Sequence, residues 1–186
     1  MRRQLIAPSL VLLATLSGCS IDAPKYTPSV YNVQTLRDAG ASAAKVGGVS
    51  AASDDAHDGA IGLRGTAMHS PYGSYSAYLR DALTQELREA KLLDDTSQVE
   101  ISAQLLKNDI HAAGLSSASA DIEARFRVTR AGQMTYDKIS TAHLEWDSSF
   151  VGAIAIPRAQ QHYPEAVAAL LARLYADSEF LAALKP

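Results

Sequence analysis

The sequence predicts an α+β domain of two layers, a mostly antiparallel sheet with two helices packed on one of its faces. Three stretches carry that expectation. Leu79, Ala82, Leu83, Leu87 and Ala90 recur at spacings of three and four, which puts them on one side of a helix. Val99, Ile101, Ala103 and Leu105 alternate with Glu100, Ser102 and Gln104, and Ile122, Ala124, Phe126 and Val128 alternate with Glu123, Arg125, Arg127 and Thr129. Period two marks strands with one buried and one wet face. Val167, Leu170, Leu171, Leu174 and Tyr175 then return to helical spacing.

The elements follow in chain order. Pro24 and Pro28 among polar neighbours predict an extended tether over residues 19–29, ahead of a single domain over residues 30–186. Val30 to Ala44 is ambiguous, with Val33 and Leu36 suited to a short helix. Lys45 to Ser50 and Ile61 to Gly65 read as weak strands, separated by a small-residue acidic loop from Ser50 to Gly59. The amphipathic helix spans about Ser74 to Leu93. Beyond the two alternating strands, Ala131-Gly132 supplies a tight turn into a third, from Met134 to Trp146, so that the three form a meander. A last helix is expected to start at Pro164, because proline suits a first helical turn, and to close on Phe180, Leu181 and Leu184. No segment repeats at a fixed period.

The first eighteen residues are of another kind. Met1-Arg2-Arg3 precedes an almost wholly apolar or small stretch from Leu5 to Leu16, too short to span a bilayer and of the form of an export signal. Leu16-Ser17-Gly18-Cys19 follows, and Cys19 is the only cysteine. These four residues resemble the bacterial lipobox. The resemblance implies that residues 1–18 are removed by a peptidase recognising Leu16, Ser17 and Gly18, and that Cys19 carries the lipid that binds the protein to a membrane. Several acyl chains together hold a protein essentially permanently, where one alone holds only marginally. Ser20 stands where aspartate would be the usual inner-membrane retention signal, so the expected address is the periplasmic face of the outer membrane.

Composition narrows the function. The chain has 186 residues, 47% of them hydrophobic, with 17 Lys and Arg against 20 Asp and Glu. Removal of Arg2 and Arg3 leaves 15 cations against 20 anions, and no basic cluster of the kind nucleic acid requires. A lone cysteine excludes an internal disulfide.

No Gly-x-Ser-x-Gly elbow, His-Glu-x-x-His pair or glycine-rich phosphate loop occurs, and neither an enzymatic activity nor a cofactor is expected. Asp54-Asp55-Ala56-His57-Asp58 offers metal-ligating atoms but lacks the alternation of a calcium loop; it reads as a solvated acidic loop, and no metal site is expected. His143 and Glu145 share a strand face and would suit an acid/base pair, or simply a polar outer face. The stretch from Trp146 through Phe150, Val151, Ile154 and Ile156 to Pro157 suits neither a wet strand nor a helix. It reads as an apolar loop that either covers the core or meets a partner or lipid. Tyr72, Tyr75 and Tyr78 either cap and pack the helix they open or, with Trp146, make a stacking surface for a small molecule or glycan.

Ser70-Pro71-Tyr72-Gly73, Leu105 to Ile110, Tyr136-Asp137-Lys138, Glu145 to Phe150, Gly152 to Pro157 and Tyr163-Pro164 together resemble a proteobacterial envelope lipoprotein family of poorly defined role. The layout is also similar to YajG-type lipoproteins and to auxiliary lipoproteins of envelope lipid-transport ABC systems. The lipobox, the absence of catalytic signatures and the apolar Phe150 to Pro157 stretch beside Trp146 lead to the expectation of a non-enzymatic accessory subunit of a lipid-transport or surface-assembly system, with a protein partner in the cell envelope; the alternative is a small-molecule or glycan-binding lipoprotein. Members of that family often carry the label UDP-N-acetylglucosamine acyltransferase. That enzyme is built from hexapeptide repeats with a histidine base, and no hexapeptide repeat exists here.

Overall fold

A computed structural model of the protein describes residues 20–53 and 56–185. Its elements are β1 (Ser20–Asp22), α1 (Val30–Asp38), β2 (Lys45–Ala51), β3 (Ala60–Leu63), β4 (Thr66–His69), α2 (Tyr75–Glu89), β5 (Val99–His111), β6 (Ser117–Arg130), β7 (Gln133–Asp147), α3 (Gly152–Ala176) and α4 (Ser178–Ala183). The α+β class and the layering are as the periodicities predict. Strands β5, β6 and β7 form the antiparallel meander, and α2 and α3 cover one face of it.

The pairing adds two features. The strands form two sheets, ordered β2-β5-β6-β7 and β1-β4-β3, and each sheet contains one parallel pair, β2 with β5 and β1 with β4. Parallel neighbours need a long crossover, and the path from β2 to β5 runs through the β3–β4 hairpin and α2.

Local chemistry explains the elements. Ser29 and Ser74 cap α1 and α2, accepting from the backbone N–H groups of Asn32 and Ala77. Ala131 and Gly132, at φ 48° and 82°, form the left-handed two-residue turn between β6 and β7. Between Leu105 and Lys107 the register of β5 shifts. The inward set then passes from Ile101, Ala103 and Leu105 to Asn108 and Ile110, as expected where an extra residue is inserted into a strand.

Two expectations are corrected. The segment after residue 19 is not a tether. Ser20–Asp22 is a strand on β4, Ala23 and Tyr26 are buried in the core, and the Tyr26 hydroxyl donates to Glu86 of α2 at 2.5 Å. The final helix does not start at Pro164 either. It starts at Gly152 and runs through both Pro157 and Pro164. Each proline removes one helical hydrogen bond, and in a helix interior it costs about 3 kcal/mol or more. That cost is offset by a continuous buried stripe, Ala155, Ala159, Tyr163, Ala166, Val167, Leu170 and Leu174, because burying one large apolar side chain alone contributes about 1.5–3 kcal/mol.

A candidate docking surface at one end of the domain

Arg64 organises the most unusual part of the surface. It occupies the tight turn between β3 and β4 with Gly65, both in the left-handed region at φ 50° and 84°. Its guanidinium donates to four carbonyls on two loops, Ala112 (2.5 Å) and Gly114 (2.7 Å) after β5, and Ser149 (2.9 Å) and Phe150 (2.6 Å) before α3. The planar fork of arginine suits this many-point contact, and a lysine could not reproduce it. The loops are also tied directly, Ser148 N–H donating to Ser116 O at 2.7 Å. The first loop is tight enough that a Cβ on Gly114 would collide with the Ser117 carbonyl.

The clamp pairs four loop carbonyls, and the side chains at this end stand exposed. Leu115 is 80% exposed, Phe150 70%, Ile154 44% and Val151 39%. Large apolar side chains gathered at one end mark a contact surface. Of the five residues proposed from sequence, three therefore lie on an exposed apolar end. Trp146 does not: it is buried, with its ring stacked on His162 at 4.9 Å. Ile156 is half-buried against the core. The stretch from Gly152 to Pro157 is not a loop but the first turns of α3.

Of the two readings of the tyrosines, packing describes Tyr75 and Tyr78, which form no exposed stacking surface. Tyr75 and Tyr78 are fully buried and donate to the carbonyls of Met68 and Pro24, both at 2.8 Å. They meet Tyr163 edge-on at 5.0 and 5.2 Å, an arrangement that adds to core packing. Tyr72 is half-buried with its ring against Tyr78, and it lines a shallow cleft with Val46, Arg80 and Asp81.

Other sequence-flagged groups have structural duties. Asp58 accepts from Ser76 N–H at 2.6 Å at the start of α2, so it caps a helix. Asp54 and Asp55 lie outside the described residues, as do Leu16, Ser17, Gly18 and Cys19. His143 and Glu145 both lie on the outer sheet face, as expected. The partner of His143, however, is Asp121 of the neighbouring strand, at 2.8 Å, and His111 meets the same carboxylate at 3.2 Å. Against the partial burial that would raise it, the bond with His143 and the nearby Lys107 and His111 hold Asp121 below its ordinary value. Among the described residues no group of three or more His, Cys, Asp or Glu side chains could hold a metal ion, and no helix is long and apolar enough to cross a membrane.

Sequence reasoning missed Arg64 and Leu115. The sequence reads Ile61 to Gly65 as one weak strand, whereas the strand ends at Leu63 and Arg64 and Gly65 form the turn after it; nothing local shows where an arginine head will reach. Leu115 lies between Gly114 and two serines, where one leucine has no pattern to join.

No family model matches the chain, and no curated protein does. Among solved structures it is similar to protein XCC0632 from Xanthomonas campestris, of family model DUF330. The TM-score is 0.59, the match covers 88% of this chain and 96% of that one, and the identity is 13%. At that identity the likeness is one of fold.

Proposed function

We propose that the protein is a lipid-anchored domain of the cell envelope that works by binding rather than by catalysis, as an accessory subunit of a lipid-transport or surface-assembly system. The lipid is held on Cys19, and the domain faces the periplasm from the outer membrane. One observation carries this reading. The chain enters the folded domain at Ser20, already paired in β1, directly after the lipobox cysteine and beside the exposed apolar end. An accessory subunit must meet its partner at a set height and orientation above the membrane, and this arrangement leaves almost no slack between anchor and fold.

The test is a crosslinking pull-down from intact cells, comparing wild type, Cys19→Ser and the double variant Phe150→Asp/Ile154→Asp, with captured proteins identified by mass spectrometry. A defined set of envelope proteins, lost in Cys19→Ser and reduced in the double variant, is expected. Equal recovery from all three, or lipid or glycan in place of any protein set, would contradict the reading.

A further inference from the structure

We infer that the apolar end formed by Leu115, Phe150, Val151 and Ile154 is a second membrane contact, inserted into the bilayer that holds the anchor and orienting the domain on it; this rests on the reading that Cys19 is lipidated. Strand β1 runs parallel to β4 with Ser20 opposite Ala67, so the start of β1 lies level with the start of β4, next to the Arg64–Gly65 turn. Arg64 is the residue that holds the Gly114 and Phe150 loops. The point where the chain enters the domain and the exposed apolar end therefore share one end of the molecule.

That point is also rigid. Ala23 N–H donates to His69 O at 2.8 Å, and Gln160 of α3 donates to Asp22 O at 2.5 Å. One extended residue spans at most about 3.6 Å, so a lipid on residue 19 brings this end to the bilayer surface whatever the rest of the domain does. A bilayer rejects unpaired backbone groups, and Arg64 pairs four carbonyls of the two loops at this end. Arg158, one turn beyond Ile154 in α3, donates to the Asp147 carbonyl at 2.9 Å. Met134, another exposed apolar residue, sits beside the Ala131–Gly132 turn at the opposite end of the meander. Contact through apolar side chains rather than charge also agrees with the acidic balance of the chain.

The experiment uses the full protein purified from membranes, reconstituted into phosphatidylethanolamine–phosphatidylglycerol vesicles, with a nitroxide on a cysteine placed by Phe150→Cys, Ile154→Cys or Met134→Cys. The mass of each preparation reports separately whether Cys19 carries lipid. Labels at 150 and 154 are expected to show a higher oxygen-to-nickel-chelate accessibility ratio than the label at 134, as insertion to an interfacial depth produces. A lipidated protein whose 150 and 154 labels are as water-accessible as 134 overturns the inference and spares the anchor. Labels at 150 and 154 closed to both reagents overturn it in favour of contact between copies. A preparation whose mass shows no lipid on Cys19 overturns the anchor, and with it the inference that depends on it.

Discussion

Glu86 is fully buried, and it accepts from the Tyr26 hydroxyl, the Asn32 amide (3.0 Å) and Ser29 N–H (3.3 Å). Burial pushes its carboxyl up from 4.5, and these hydrogen bonds hold it back only in part. A raised value means that the folded chain binds the proton more tightly than the unfolded one. The stability this contributes is complete below the ordinary value and is lost as pH rises through the folded value. Relative to Glu86→Gln, wild type should therefore be most stable in mild acid and lose ground toward neutrality, measured as paired urea midpoints. Glu86→Ala should cost roughly 1–3 kcal/mol for each donor left without a partner. Arg64→Lys is expected to cost about 1–2 kcal/mol and to speed hydrogen exchange at residues 112–116 and 148–151 alone. Unchanged exchange there would show that the clamp does not hold the loops. Neither residue was legible beforehand, because a buried glutamate on α2 looks like any surface glutamate until the segment bearing Tyr26 folds over it.

Among the elements, α2, the β6–β7 turn and the outer halves of the meander were legible because their periodicity is uninterrupted. Strand β5 reads as ending at Leu105 because the register shift inverts the alternation there and Lys107-Asn108-Asp109 looks polar, although Asn108 is buried and accepts from the Tyr163 hydroxyl at 3.1 Å. The start of α3 was hidden by Pro157 and Pro164, whose local preference the buried stripe overrides. The segment over residues 20–28 was mistaken for a tether because two prolines outweigh Ala23 and Tyr26 in any local reading. It yields a test of its own. A dispensable tether could be cut without cost, whereas Tyr26→Ala is expected to lower unfolding free energy by about 3–5 kcal/mol, the range for emptying a buried aromatic site. A change under 1 kcal/mol would restore the tether.

At the scale of the whole molecule, the apolar end was half legible: Phe150, Val151 and Ile154 stand out in a stretch that reads as an apolar loop over the core or at a contact, but their gathering with Leu115 depends on two loops far apart in sequence and on the Arg64 side chain. Because Phe150 and Ile154 are exposed, Phe150→Asp/Ile154→Asp should leave thermal stability within about 0.5 kcal/mol of wild type while weakening every interaction made through that end. A large loss of stability would mean that those side chains belong to the core. The membrane-bound role depends on the anchor, and the intact mass of the mature protein purified from membranes of its native host tests it. The account predicts a chain beginning at Cys19 and carrying a diacylglyceryl group and an amide-linked acyl chain, with the mass difference confined to the N-terminal peptide. An unmodified chain, whether cut elsewhere or still bearing residues 1–18, would contradict it.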